Sequence, residues 1–135
     1  RSAIAECFIG LELVGRRVTD DIRLNEVAAI ADFALDVAVI RGRPIPDWER
    51  QDLAAMPVRA MIDGVTVASG TGAMVLGHPL NALAWLAETL RRCGSKLRAG
   101  EVVLTGTCTG ITKVTPGQTF TGCFGDLLSV QVQLA

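Results

Sequence analysis

The clearest hydrophobic pattern of the chain lies between residues 79 and 93. Apolar side chains recur there at spacings of three and four residues, at Leu83, Leu86, Ala87 and Leu90. This spacing places them on one face of a helix. Pro79 is well tolerated in a first helical turn, and Arg91 and Arg92 would meet the negative end of the helix dipole. The pattern therefore predicts one main amphipathic helix over residues 79–93.

Short apolar or alternating runs predict strands along the rest of the chain. They cover residues 10–14, 37–40, 58–61, 65–68, 102–104, 119–124 and 129–134. Asp63 and Gly64 signal a hairpin turn, because glycine adopts positive φ without a steric penalty. Residues 102–104 predict a strand buried on both faces, and residues 2–9 look like the end of a helix. Strands outnumber helices, so the pattern predicts a β-rich α+β domain.

Length and composition narrow the class of protein. The 135 residues, half of them hydrophobic, are enough for a single domain with a core of its own. A net charge of −1 predicts no attraction to nucleic acid or to an anionic membrane, and no apolar run has the length of a membrane span. The positive mean hydropathy fits either a homo-oligomer with hidden surface or a large core.

The cysteines and the histidine limit the kinds of site. The four cysteines are scattered without a Cys-x-x-Cys pair, which favours reduced thiols in a cytoplasm over disulfides or a zinc site. With a single histidine, His78, a metal would have to be held by carboxylates, and this favours Mg²⁺ or Mn²⁺. His78 itself either caps the helix that follows it or serves as a base.

Two stretches carry candidate chemistry. Residues 105–110 combine three threonines with two glycines after an apolar run. Their hydroxyl groups could surround an anionic ligand, although threonine is also simply favoured in strands. Glu12 lies within an apolar strand, where a carboxylate is costly unless a partner neutralises it. Arg16 or Arg17 could be that partner, or Glu12 could be exposed.

Three segments carry a resemblance to a known family. They are GHPLNALAWLA (77–87), LRAGEVVLTGT (97–107) and PGQTFTGCFGDLLSVQVQLA (116–135). In this order they resemble the C-terminal half of the 2-hydroxypentadienoate (2-keto-4-pentenoate) hydratases, which belong with the 4-oxalocrotonate decarboxylases in the fumarylacetoacetate hydrolase superfamily. The resemblance implies the mixed-sheet roll of that superfamily's C-terminal domain. It also implies that residues 1–135 are the C-terminal part of a longer chain whose N-terminal part is absent here.

The resemblance also implies site residues. The segment LELVGRR (11–17) is similar to a family segment in which the glutamate, here Glu12, is the third carboxylate ligand of a divalent metal. It implies catalytic roles for Arg17 and for Asp32, which stands in ADFA (31–34) where the family has Ala-Asp-Asn-Ala. Thr105, Gly106 and Thr107 would hydrogen-bond the substrate carboxylate.

Two positions depart from the family pattern, and the departures affect the pocket. Phe33 replaces the asparagine of Ala-Asp-Asn-Ala, which removes two hydrogen-bond donors and an acceptor from the pocket edge. Arg16 stands where a serine is usual, and Thr19-Asp20-Asp21 stands where an aspartate-tryptophan pair is usual.

The function implied by the resemblance is a metal-dependent lyase. The carboxylate and the 2-oxo group of a small 2-oxo or 2-hydroxydienoic acid would chelate Mg²⁺ or Mn²⁺, and the ion would stabilise the enolate of this acid. Hydration of 2-hydroxy-2,4-dienoates, in catabolism of the aromatic meta-cleavage kind, is the expected reaction. Decarboxylation of a 2-oxo acid and C–C hydrolysis of an acylpyruvate stay open as alternatives.

The missing upstream carboxylates set a further expectation. The family's other two metal ligands lie upstream of residue 1, and Glu12 alone cannot satisfy Mg²⁺. We therefore expect the 135-residue chain to be inactive alone and to need its own N-terminal part or a complementing N-terminal chain. A non-catalytic scaffold or assembly subunit is the alternative from another class.

Overall fold

The computed structural model describes residues 2–19, 21–23, 25–126 and 128–135. Six strands are present in these residues: β1 (Phe8–Val14), β2 (Asp36–Pro44), β3 (Pro57–Ile62), β4 (Val65–Thr71), β5 (Thr119–Phe124) and β6 (Leu128–Gln133). The helices are α1 (Glu26–Ala31) and α2 (Pro79–Arg92). Short 3₁₀ turns lie at Phe33–Leu35, Trp48–Arg50 and Gly72–Met74. No helix within the described ranges has both the length and the apolar character needed to cross a bilayer.

The strands form two sheets. β1 pairs with β2, and the other four strands lie side by side in the order β4-β3-β5-β6. This arrangement confirms the predicted β-rich α+β class with one main helix. In the described part of the chain all four strand pairings are antiparallel. The parallel pairing that a mixed sheet would contain is therefore not among them, and the roll is built from antiparallel ladders.

The two sheets pack closely against each other at glycines. A Cβ on Gly42 of β2 would lie 2.6 Å from Ile9 Cγ1 and 3.1 Å from Val130 Cβ, and a Cβ on Gly122 of β5 would lie 2.8 Å from Leu11 Cδ2. Ile9 is only 1% exposed. One face of β1 and β2 thus forms the core with β5 and β6, and their other face turns away from it.

The main helix begins and ends almost where the sequence predicts. Its N-cap is His78, whose ring Nδ1 accepts a hydrogen bond from the Leu80 N–H at 3.0 Å. A side-chain acceptor at this position satisfies one of the N–H groups that a helix start leaves unpaired. Of the two alternatives for His78, the structure therefore confirms that it caps the helix. Trp85 on this helix is 64% exposed.

Two local predictions are wrong. Residues 102–104 form no strand, and Val102 is 55% exposed. An apolar run becomes a strand only where a neighbouring strand takes up its backbone hydrogen bonds, and in the described residues none pairs with this run. Residues 2–9 do not end a helix, since β1 already begins at Phe8 and pairs with β2.

The irregular segment after α2 is held against β4 by backbone contact. A Cβ on Gly70 would lie 2.0 Å from the carbonyl oxygen of Cys108. Gly106, in the same segment, has a φ of 114° and its Cβ position lies 3.7 Å from Val75 Cγ1. The threonine-bearing loop therefore rests on the end of β4 at a point where only glycine leaves room.

Replacing Gly70 by alanine should displace this loop. A new Cβ meets a backbone oxygen rather than a flexible side chain, so we expect a loss of about 2 kcal/mol or more in the free energy of unfolding. Gly10→Ala is the matched control, because the nearest atom to its Cβ would be 3.5 Å away, an ordinary contact. Urea unfolding of both variants measures the difference, and equal stabilities would contradict the close approach.

Candidate functional site

A large cleft runs past β1 and is lined by residues of both faces of this strand, among them Ile9 and Glu12. Its volume is about 1610 Å³, which exceeds the roughly 300–1,000 Å³ of ordinary small-molecule sites. Glu12, Thr105, Gly106 and Thr107 all line it. Four of the six residues singled out in the sequence are thus brought to one cleft, although they come from two distant segments.

The position of Glu12 follows from the packing of β1. Because Ile9 and Leu11 turn toward the core, the alternate residues Gly10 and Glu12 face outward. The Cβ position of Gly10 lies 3.7 Å from Leu104 Cδ2, so this face looks toward the segment that carries the threonines. Glu12 pairs with Val39 of β2 and is exposed to the cleft. The exposure alternative for Glu12 is confirmed, with the carboxylate lining a concave surface.

The threonine loop is partly stabilised by its own hydrogen bonds. Thr107 Oγ1 donates to the Gly110 carbonyl at 3.0 Å and accepts from the Thr109 N–H at 3.2 Å. Its hydroxyl proton would have to rotate away from Gly110 to reach an anion in the cleft, which a hydroxyl can do. Thr105 is half-buried beside it. The loop is therefore held in shape in part by hydrogen bonds of its own.

Arg17 and Asp32 form an ion pair away from this cleft. The Arg17 backbone N–H donates to Asp32 Oδ2 at 2.9 Å, and the guanidinium donates to Oδ1 at 3.1 Å and to the Asp32 carbonyl at 3.3 Å. Asp32 is 4% exposed. The Arg17 backbone N–H, with its guanidinium, lowers the pKa of Asp32 from its ordinary value of 3.8, and burial opposes this shift without cancelling it. Neither residue lines the cleft.

The ion pair stabilises a strained turn that does line the cleft. Phe33, Ala34 and Leu35 have φ values of 53°, 53° and 69°, which are unfavourable for residues that carry a Cβ. The turn is tied down at both ends, by Leu35 N–H to the Asp32 carbonyl at 2.8 Å and by Gly15 N–H to the Leu35 carbonyl at 2.9 Å. Ala34 lines the cleft. The ion pair of Arg17 and Asp32 therefore anchors a turn of which one residue, Ala34, lines the cleft.

The Arg17 guanidinium makes two further contacts with this turn. It lies 5.5 Å from the centroid of the Phe33 ring, within the range of a cation–π contact. It also donates to the backbone carbonyl of Asp36. One side chain thus contacts both ends of the turn, and the family's asparagine at position 33 would accept the positive φ more readily than phenylalanine does.

Three residues of the site were missed by the sequence analysis. A smaller cavity of about 480 Å³ beside Glu12 is lined in addition by Asp36, Arg41 and Phe8. Asp36 and Arg41 flank the predicted strand 37–40, and nothing in the sequence pattern singled them out. The signal that could have found them is the β1–β2 register, in which Gly10 lies opposite Arg41 and Val14 opposite Asp36. Strand partners cannot be read from a single strand's pattern.

The carboxylates of the described residues do not form a metal site by themselves. No group of three or more histidine, cysteine, aspartate or glutamate side chains in this part of the chain could hold an ion. Mg²⁺ requires about six oxygen ligands in near-octahedral geometry. Glu12 would supply one of them, with Asp36 on the same small cavity. The residues present therefore fit a share of a divalent-metal site and not a complete one.

The fold belongs to a known family of protein domains. Residues 1–134 match the model of the fumarylacetoacetate (FAA) hydrolase C-terminal family, and the chain belongs to that family.

Individual relatives are consistent with this assignment. The chain is 38% identical over 132 residues to a 2-keto-4-pentenoate hydratase of Burkholderia vietnamiensis, covering 96% of this chain and 49% of the relative. It is 32% identical over 114 residues to a 4-oxalocrotonate decarboxylase of Pseudomonas putida, covering 84% of this chain and 43% of that one. The family resemblance expected from the sequence is confirmed. The chain spans about half the length of the relatives it matches.

Solved structures agree with the fold. The 4-oxalocrotonate decarboxylase from Pseudomonas putida G7, complexed with magnesium and adipate, superposes with a TM-score of 0.83 at 31% identity, over 93% of this chain and 48% of that chain. The same enzyme complexed with calcium and acetate gives a TM-score of 0.82 at 32% identity, over 95% and 48% of the two chains. These matches confirm the roll of the FAA hydrolase C-terminal domain.

Replacing Asp32 by asparagine should change how the free energy of unfolding depends on pH in the acid range. Since the folded pKa of Asp32 is lowered, its carboxylate stabilises the fold fully above the ordinary pKa of 3.8, and this contribution is lost as the pH falls through the folded value. We expect Asp32→Asn to be less stable at pH 7 and to lose less on acidification than the parent chain. Urea unfolding between about pH 7 and pH 2.5 measures both curves.

The control for this experiment is Asp21→Asn, which removes an exposed carboxylate outside the ion pair. If the free energy of unfolding of Asp32→Asn and of the parent chain falls equally with pH, the ion pair does not contribute to the acid dependence of stability.

Replacing Ala34 by glycine should relieve the strain of the turn. Glycine adopts a φ of 53° and a ψ of 28° without a Cβ clash, so we expect a gain of about 0.5–1 kcal/mol in the free energy of unfolding. Ala29→Gly in α1 is the matched control with the opposite sign, and we expect a loss of about 0.5–1 kcal/mol. In a right-handed helix the replacement relieves no strain and only increases the backbone entropy of the unfolded chain. A loss at both positions would contradict the left-handed turn.

Proposed function

We propose that the chain is the C-terminal part of a hydratase of 2-hydroxy-2,4-dienoates, of the 2-keto-4-pentenoate type. The observation that carries the proposal is that one cleft is lined by Glu12 and by the loop of Thr105, Gly106 and Thr107. A cleft that holds both a carboxylate and a loop of hydroxyl and amide donors suits a small acid whose own carboxylate meets the loop. The hydratases among the relatives support this choice.

The residues of this chain would divide the work as follows. Thr105, Gly106 and Thr107 hydrogen-bond the substrate carboxylate, and Glu12 supplies one ligand to Mg²⁺ or Mn²⁺. A divalent ion there would polarise the 2-oxo group. The calcium and magnesium carried by the solved relative support the metal part of the proposal. For Arg17 and Asp32 we propose a positioning role through the turn at Phe33–Leu35, and their direct part in catalysis stays a prediction.

The active protein would contain more than these residues. About half of each relative's length is not covered by the match, and the described residues supply only a share of a metal site. We propose that an N-terminal part, on the same or a complementing chain, completes both the metal site and the oversized cleft. Exposed apolar side chains such as Trp85, Met74 and Leu76 support a homo-oligomer, and the scattered free cysteines support a cytoplasmic location.

Decarboxylation of a 2-oxo acid is the second candidate. It is favoured by the match to 4-oxalocrotonate decarboxylase in both sequence and structure. A C–C hydrolase acting on an acylpyruvate is a further candidate from the same superfamily. A non-catalytic scaffold would fit the incomplete set of ligands. Activity measurements on the complete polypeptide separate all of these.

The proposal predicts that Glu12 is required for turnover. In the complete polypeptide, Glu12→Gln should lower the Mg²⁺-dependent rate of 2-hydroxypenta-2,4-dienoate consumption by at least about 100-fold, equivalent to about 2.7 kcal/mol of transition-state stabilisation. The decay of the dienoate's ultraviolet absorbance measures this rate. Glu26→Gln, at the exposed start of α1, should leave it unchanged.

The isolated chain provides a second arm of this experiment. Residues 1–135 alone should show no turnover, because the described part of the chain contains too few metal ligands. Full activity of Glu12→Gln, or turnover by the isolated chain, would overturn the proposed assignment. Carbon dioxide release instead of hydration would favour the decarboxylase candidate.

A further inference from the structure

The floor of the large cleft is continuous with the core of the domain. It is lined by Ile9, Leu53 and Val58, which are only 1%, 6% and 6% exposed, and by apolar side chains of β5 and β6 such as Phe120 and Val132. Its volume of about 1610 Å³ is larger than a small ligand fills. An apolar hollow of this size is unfavourable, because protein interiors pack at crystal-like density. The cleft is therefore a core that is open on one side.

The main helix borders this cleft without burying any side chain. Leu80, Leu83, Ala84 and Ala87 of α2 line the cleft. None of the 14 residues of α2 is buried, and Ala84 and Ala87 are exposed. An amphipathic helix gains most of its stability in a domain by packing its apolar face against another element. The apolar face of α2 is therefore only partly covered by the described residues.

The run Val102-Val103-Leu104 borders the same cleft with an unpaired backbone. All three residues line the cleft. Within the described ranges, none of their backbone N–H and C=O groups takes part in a hydrogen bond. Val102 is 55% exposed, and Leu104 Cδ2 lies 3.7 Å from the Cβ position of Gly10. Apolar, β-branched residues with unpaired backbone groups present an edge to which another strand can add.

The start of the described chain leads to this cleft. Residues 3–7 line it, so a polypeptide joined to residue 1 would begin beside it. A second copy of the chain fits less well, because a twofold interface brings identical surfaces together and two facing hollows do not fill each other. The match covers only 49% and 48% of two relatives. These observations favour the N-terminal part of the protein as the occupant of the cleft.

We propose that an apolar β-strand of the N-terminal part adds to the backbone of residues 102–104 and fills the large cleft between α2 and β1. One face of the added strand packs against Leu83 and Ala87 of the helix. The inference rests on the proposed function, which supplies the N-terminal part. It assigns most of the cleft to the core of the complete protein and leaves Glu12 and the threonine loop for a small acid. Residues 102–104 then form the strand that their sequence pattern predicts.

Hydrogen exchange of single backbone amides tests the pairing. It is followed by NMR on the complete polypeptide without substrate. Neighbouring residues of a strand direct their N–H groups to opposite edges, so one added strand protects either Val103 or both Val102 and Leu104. We expect these amides to exchange at least about 100-fold more slowly than in an unstructured peptide. Lys96 and Lys113 are the controls and should exchange freely, because they are exposed, line neither cavity and donate no backbone hydrogen bond to the described residues.

Thiol labelling tests the filling of the cleft. Ala87→Cys places a thiol on the side of α2 that lines the cleft, whereas the native Cys93 at the end of the same helix lines neither cavity. Both positions are exposed in residues 1–135. In the complete polypeptide the thiol of Ala87→Cys should react with a water-soluble maleimide at least about tenfold more slowly than Cys93. Peptide mass mapping measures both rates in one molecule.

Free exchange of all three amides of residues 102–104, or equal labelling of the two thiols, would overturn the inference. Protection that disappears on about hundredfold dilution would assign the edge to a second copy and overturn it as well. Protection that needs added Mg²⁺ and a 2-oxo acid would assign the edge to the ligand, with the same consequence.

The Mg²⁺-dependent turnover of the same preparation tests the proposed function separately. Turnover with unprotected amides leaves the function standing and removes the added strand. Protected amides without turnover remove the function and leave the added strand.

Discussion

The structure depends on the close packing of two antiparallel sheets at positions without side chains. A Cβ on Gly42 would collide with Ile9 of the neighbouring strand and with Val130 of the facing sheet, and a Cβ on Gly122 would collide with Leu11 of the facing sheet. Interiors pack at crystal-like density, so even one added methyl group there would force the sheets apart. Because this contact uses one face of β1, the opposite face, with Glu12, turns away from it. The core contact and Glu12 therefore lie on opposite sides of one strand.

The cleft is shaped by polar contacts as well as by this packing. The ion pair of Arg17 and Asp32 anchors a left-handed turn that the local sequence would not adopt unaided. The Cys108 carbonyl seated on Gly70 anchors the other side. Strain held near a ligand cleft by surrounding contacts is a common feature of sites that must be ordered before binding. The residues singled out by the family resemblance and the residues that make these contacts therefore lie in the same segments of the chain.

The sequence predicted those parts of the fold whose signals are local. Helix 79–92, the hairpin turn at Asp63 and the last two strands each carry a complete pattern within a few residues. The strand expected at residues 102–104 failed because strand formation needs a partner that no local pattern reveals. The site divides in the same way. Glu12 and the threonine loop stand out in the local pattern, and the family resemblance supplied their expected roles. Asp36 and Arg41 depend on strand register, which a single sequence does not encode locally.

The topology of the larger sheet has a consequence for how the chain assembles. β3 pairs with β4 across a tight turn, but it pairs with β5 only after the whole stretch between Asp63 and Thr119 has been looped out. The Asp63 carboxylate accepts a hydrogen bond from the Thr119 N–H at 2.9 Å and fastens the two ends of that loop. Bringing distant segments together lowers the chain entropy before any stabilising contact forms, so non-local pairing is slow. We expect the hairpin to form early and the threonine loop, which lies inside the closed stretch, to acquire its final place in the last folding step.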